Sequence, residues 1–228
     1  MSLRKETKPA RSPHGRWYRD ACGTAFGLEL LGERWSLLIV RELMFGPRRF
    51  SDIRANLPGL SAKVLTERLN GLEAHGVIIR STAPEPVPTK LYGLTEWGYA
   101  AEPIINELGR WAAASPMHDP TLPLSPASFM LSLRTMLNVE AAEGMTAVVQ
   151  FSIGTANFAA HLQNGTMPVT RGEIDTPDLH FTAPAAPLLA VVFYGDEVPD
   201  TVDTEITGNT ELCRRFIDLF ELPTQWTS

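Results

Sequence analysis

Cysteine is almost missing from this chain: 228 residues hold only two, Cys22 and Cys213. Two thiols in what read as different domains suggest free thiols in a reducing, cytoplasmic setting rather than a disulfide framework. Long apolar runs are missing too. The longest, residues 37–40 and 188–194, fall far below the ~20 residues a membrane-spanning helix needs, so no membrane partner is expected. The opening MSLRKETKPARSPHGR lacks the apolar segment of a secretory signal and reads as a disordered basic arm over residues 1–16. Motifs of catalysis are absent: no GxGxxG, Walker loop, GxSxG, HExxH or CxxC. The five histidines, at 14, 75, 118, 161 and 180, are scattered. His161 and His180 could approach in space, but such pairs are more often surface or satisfied core than metal ligands. Glu173, Asp175 and Asp178 fall on an expected loop and read as solvated. The expectation is a protein without catalysis, cofactor or metal.

Cations are scarce in one half only. Residues 1–115 hold 16 Lys+Arg and 12 Asp+Glu, a balance of +4, whereas residues 116–228 hold 4 and 14, a balance of −10. That asymmetry suggests a half facing nucleic acid joined to one that avoids polyanions, with chance as the plainer alternative. Four prolines in SPMHDPTLPLSPAS mark a linker, set at residues 116–126.

What is present before the linker is mostly helical. CGTAFGLELLG has helical spacing and ends at Gly32, a candidate C′ glycine. Residues 35–45 are apolar nearly all round, as suits a central helix. FSDIRANLPG sets Phe50, Ile53 and Leu57 on one side, with Ser51 as expected N-cap and Pro58-Gly59 as terminator. In SAKVLTERLNGLEAHG, Ser61 is the N-cap, Leu65, Leu69 and Leu72 repeat, and Gly76 closes the helix. VIIRST and KLYGLT read as a β-ribbon. Thr95 then caps a last helix carrying Ile104, Ile105, Leu108 and Trp111. Two short helices joined by a tight turn, followed by a ribbon, describe a helix-turn-helix with a wing. The helix from Ser61 would enter the major groove of double-stranded DNA, with Arg48 and Arg49 on phosphates beside it.

These residues also carry a resemblance. LLGERWSLLIVRELMFGPRRFSDIRANLPGLSAKVLTERLNGLEAHGVIIR and PVPTKLYGLTEWG are similar to the HxlR-type winged-helix regulators, relatives of the MarR proteins. The resemblance implies a homodimeric transcription regulator whose DNA-binding domain occupies residues 17–115. It implies dimer contacts through Trp17, Phe26, Leu30, Ile104, Leu108 and Trp111, which periodicity alone does not separate from core. Carried over by position, the reading helix offers Ser61, Lys63, Val64, Thr66, Glu67, Arg68 and Asn70. Lys63 and Arg68 suit phosphate or guanine, Thr66 and Asn70 base edges, and Glu67 either cytosine or a neighbouring arginine. Ser51 joins Arg48 and Arg49 beside the backbone, and Arg80, Thr89 and Lys90 belong to the wing. Cys22 matches a cysteine that some family members use as a redox sensor, although Gly23 stands where the family commonly has proline. Most single cysteines are inert packing residues.

Residues 127–228 read as α+β with an antiparallel sheet. PASFMLSLRTMLNVE is an amphipathic helix, MTAVVQFSIGTANFAAHLQNGTMPV and DLHFTAP are strands, and APLLAVVFYGDE is a buried helix. TVDTEITG alternates, and NTELCRRFIDLFELP ends the chain as a helix capped by Asn209 or Thr210. This order is similar to the sterol carrier protein family, which implies an apolar cavity for a small hydrophobic ligand. Its candidate liners are Phe129, Leu133, Phe151, Phe158, Phe181, Leu189, Phe193, Phe216 and Phe220; at these periods the same residues also read as plain core. The fold class is therefore α+β, a winged helix-turn-helix followed by a sheet-and-helix unit. A DNA-binding regulator is the first reading; a lipid carrier whose N-terminal domain serves assembly is the alternative.

Overall fold

The computed structural model describes residues 18–83, 88–195 and 203–226. The expected basic arm and Trp17 lie outside them. The N-terminal half runs α1 (Gly23–Leu31), α2 (Ser36–Leu43), β1 (Arg48–Arg49), α3 (Phe50–Asn56), α4 (Ala62–Ala74), β2 (Ile78–Ala83), β3 (Thr89–Leu94), α5 (Glu96–Tyr99) and α6 (Glu102–Ala113). The three strands pair antiparallel in the order β1-β3-β2.

Local chemistry explains the best-formed of these elements. Ser61 caps α4, its hydroxyl oxygen accepting the Val64 amide at 3.3 Å. The helix stops where Gly76 turns left-handed at φ +73°. There the Val77 amide reaches back to the Leu72 carbonyl at 2.9 Å and the Gly76 amide to Glu73 at 2.9 Å, a Schellman ending. Thr95 caps the Gly98 amide, as its position implied.

Several expectations are corrected. Gly32 is right-handed at φ −73°, and the sharp turn between α1 and α2 is made by Trp35 at φ +81°. Ser51 lies inside α3 and does not cap it; Arg49 occupies the N-cap position without a side-chain bond. The last helix of this half is two, because Pro103 lacks an amide hydrogen and fits only in the first turn of a new helix. On that helix Ile105 is core, while Ile104, Leu108 and Trp111 are exposed, Trp111 to 72%.

The C-terminal half runs α7 (Pro126–Met136), β4 (Ala147–Ile153), β5 (Ala156–Leu162), β6 (Val169–Arg171), β7 (Leu179–Ala183), α8 (Ala186–Tyr194), β8 (Glu205–Gly208) and α9 (Thr210–Ile217). Class α+β holds, but the sheet is mixed. Its order is β6-β5-β4-β7-β8, with β4 and β7 parallel and the other pairs antiparallel. After two hairpins on one side of β4, the chain crosses to its other side, and β7 then runs the same way. One row across the inner face reads Arg171, Phe158, Phe151, Phe181, Ile206. Phe129 of α7, Phe193 of α8 and Phe216 of α9 cover that face. The outer face is polar, with Ser152 and His180 in a 2.9 Å hydrogen bond.

The two halves meet through α7. Phe45, just past α2, meets Phe158 edge to face at 5.6 Å. Glu102 pairs with Arg134 at 2.7 Å, and the Trp226 amide donates to the Ala114 carbonyl at 2.9 Å. Glu42, a carboxylate within the mostly apolar α2, is 1% exposed. Its carboxylate accepts from Arg41 at 3.1 Å, Asn56 at 3.0 Å and the Ser125 hydroxyl at 2.6 Å.

Candidate nucleic-acid interface

α3 and α4 are joined by a turn in which Gly59 takes φ +88°, a conformation that favours glycine. Leu65, Leu69 and Leu72 bury the back of α4 against the core, which fixes its rotation. The opposite ridge leaves Ser61, Lys63, Thr66, Glu67 and Asn70 exposed, with Val64 half-buried. The Thr66 hydroxyl donates to the Ala62 carbonyl at 2.9 Å.

Two of the arginines expected on this face are turned away from it. Arg68 is 13% exposed; its Nη2 lies 2.9 Å from Glu33, and its Nε donates to the Arg34 carbonyl at 3.0 Å. It braces α4 against the α1–α2 turn. Arg48 and Arg49 alternate along β1 as strand residues must, so Arg49 is exposed and Arg48 points inward. There Arg48 lies 3.7 Å from Asp52. Ser51 is exposed, its hydroxyl donating to Asp52 at 3.2 Å.

The wing is tied to the far end of α4. Arg80 donates to Asn70, pairs with Glu73 at 2.9 Å and lies over the Tyr92 ring at 5.5 Å. Lys90 is exposed and Thr89 half-buried on β3. Arg54, exposed in the last turn of α3, is a cation the sequence reading passed over. The available signal was a basic residue one turn after Phe50 on the first helix of the pair.

The nine residues expected to line a ligand cavity are packed instead. All are at most 4% exposed. Phe193 meets Phe129 at 5.6 Å, Phe181 at 5.1 Å and Phe220 at 5.4 Å, while Phe151 and Phe181 stack at 5.2 Å. Phe158 serves the junction with Phe45. The Tyr194 hydroxyl, 3.1 Å from Ser132, has its pKa pushed up by burial. Two hollows on the described surface lie elsewhere. One of about 240 Å³, between α1 and α4, is lined by Tyr18, Leu28, Glu33, Arg68 and His75. A shallower one of about 640 Å³ lies beside Arg110 and Arg134. Among the described residues no group of three or more His, Cys, Asp or Glu could hold a metal ion. No described helix is long and apolar enough to cross a membrane.

Cys22 is exposed at the N-cap of α1. Hydrogen bonds from the Thr24 and Ala25 amides, then the Thr24 hydroxyl, favour its thiolate and lower its pKa. Burial raises that of Cys213. Near neutral pH Cys22 is therefore expected to be alkylated faster than a free model thiol, and faster than Cys213. Mass-spectrometric labelling kinetics decide it; equal rates at Cys22 and the model thiol remove the redox role.

A family model described as HxlR-like helix-turn-helix matches residues 30–119. YvaP of Bacillus subtilis (strain 168), an uncharacterized HTH-type transcriptional regulator, is 46% identical over 85 residues, which cover 37% of this chain and 79% of that protein. The HTH-type transcriptional regulator YodB of the same organism is 42% identical over 83 residues, 36% of this chain and 74% of the relative. The solved reduced form of YodB aligns at 37% identity and a TM-score of 0.39, covering 43% of this chain and 98% of that one. The curated names are those of transcriptional regulators rather than enzymes.

Proposed function

Because this chain belongs to the HxlR-like helix-turn-helix family, we propose that it is a sequence-specific transcription regulator that binds double-stranded DNA as a homodimer. One observation carries the reading: α4 presents a polar exposed ridge on a buried apolar back, and the acidic second half does not cover it. In this reading Lys63, Thr66, Glu67 and Asn70 face the major groove. Ser61, Arg49, Ser51 and Arg54 meet phosphates, and Lys90, Thr89 and Arg80 approach the backbone from the wing. Arg48 and Arg68 act from behind, holding α3 and α4 in place.

The dimer reading draws on α1, which buries no residue, and on exposed Phe26, Ile104, Leu108 and Trp111. Half-buried Leu30 lies at its edge. Such faces on a small unit mark association surfaces. Light scattering that returns a monomer at micromolar concentration ends this part of the proposal. We assign residues 17–115 to the DNA-binding domain, 116–126 to the linker and 127–228 to a sterol-carrier-like domain. A hydrophobic ligand there must displace phenylalanine rings to enter, and it acts only by favouring one dimer geometry over another. A DNA partner implies a cytoplasmic location.

The test is anisotropy titration of the full chain against DNA from upstream of its own gene, with and without a lipid extract. Lys63→Ala is expected to weaken binding and to flatten the log–log salt dependence by about one unit if it contacts one phosphate. An unchanged slope removes Lys63 from the phosphate contacts. No binding to any upstream fragment leaves the carrier reading in its place.

A further inference from the structure

The junction between the halves carries more positive charge than it neutralises. Three guanidinium groups, of Arg41, Arg48 and Arg171, gather near two carboxylates, of Glu42 and Asp52, leaving a balance of +1. Arg41 and Glu42 pair at 3.1 Å, and Arg48 and Asp52 at 3.7 Å. The Glu42 oxygens are already engaged by Arg41, Ser125 and Asn56. Arg171 is the cation left over. It stands directly across from Phe158 on β6 and lies over that ring at 4.5 Å, beside the Phe45–Phe158 contact that joins the halves. Among the described residues its Nε and Nη2 are buried without a hydrogen-bond partner, and so is Nε of Arg48. Burial, then the charge of Arg48, lowers its pKa to about 10, which still leaves it fully charged at neutral pH.

Unfilled guanidinium donors cost free energy, and the oxygens of a carboxylate or phosphate group satisfy them in pairs. We propose that Arg171 and Arg48 together bind a small oxyanion, a carboxylate or phosphate group, at the junction between the two halves. Neither side chain is fully buried, so an anion arriving from solvent at their exposed edge meets those donors once the guanidinium groups turn outward. One arginine comes from each half. The bound anion therefore fastens the second half to β1 and the start of α3, the first helix of the helix-turn-helix. The site does not depend on the DNA-binding reading.

Calorimetric titration and thermal unfolding of the full chain test it, with inorganic phosphate or acetate replacing chloride at constant ionic strength. The expected result is saturable heat and a rising unfolding midpoint with at least one of the two. The anion that acts identifies the preferred group. Arg171→Leu is expected to weaken that binding by about tenfold or more. Arg215→Ala, which removes an exposed cation on α9, is expected to leave it unchanged. If Arg171→Leu does not fold, Arg171→Lys and Arg48→Leu provide the same comparison, each losing affinity. Absence of a saturable response to either anion overturns the proposal, as does an affinity in the Arg171 and Arg48 variants equal to that of the unsubstituted protein.

Discussion

Replacing Glu42 by alanine is expected to destabilise the protein by about 3–5 kcal/mol, the cost of breaking a buried, hydrogen-bonded ion pair from one side. The carboxylate is 1% exposed and accepts from three elements at once. Arg41 reaches it from its own helix, Asn56 from the end of α3, and Ser125 from the cap of α7. With alanine there, all three donors lose their acceptor in a place where water does not readily replace it. Glu42→Gln keeps the shape and one acceptor oxygen, so its loss should be smaller. Urea denaturation midpoints with an unchanged slope give the comparison. The Ser125→Ala and Glu42→Ala pair should be clearly non-additive, because the two side chains share one hydrogen bond. A loss under about 1 kcal/mol for Glu42→Ala, in the range of exposed pairs, would falsify the buried-network account.

Phe193→Ala is the second large effect, also about 3–5 kcal/mol. Phe193 is 4% exposed and lies among the rings of Phe129, Phe151, Phe181, Phe216 and Phe220. It thereby joins three helices to the inner face of the sheet. Truncation removes transfer energy and leaves a cavity that surrounding rings close only partly. The measurement also bears on the sterol-carrier likeness. A core already holding ligand-sized space would relax into it and lose little. A loss under about 1 kcal/mol therefore favours a built cavity, and the larger loss expected here favours a filled core.

Much of the reading half was legible because its signals are local. Ser61, the Leu65-Leu69-Leu72 period and Gly76 specify a capped amphipathic helix within 16 residues, and α4 follows them closely. Arg68 shows the limit. It falls in the polar sector of that helix, yet its partner carbonyl is 34 residues away in sequence, and no local pattern announces it. Glu42 is the same case, with its partners on α3 and at the cap of α7. Arg48 was misplaced because a two-residue strand was not expected there, and strand alternation sends its side chain opposite to that of Arg49. In the second half, alternation identified the inner-facing phenylalanines. The expected antiparallel sheet missed the parallel pairing of β4 with β7, and the expected cavity missed the role of Phe158 toward Phe45, both long-range choices. Exposure of Ile104, Leu108 and Trp111 was equally beyond periodicity, which marks an apolar stripe without naming what covers it.

The hydroxyl of Ser125 caps the start of α7 and donates to the Glu42 carboxylate, and this bears on the order in which the protein is made. A ribosome releases the helix-turn-helix segment first. Until residue 125 emerges the nascent segment keeps Glu42 short of a donor, and until residue 158 emerges it keeps Phe45 without the ring that later shields it. A truncated chain ending near residue 115 would be frozen at that stage. It should be less stable and stickier than the same residues in the finished protein, so its behaviour on DNA is a poor guide to the whole.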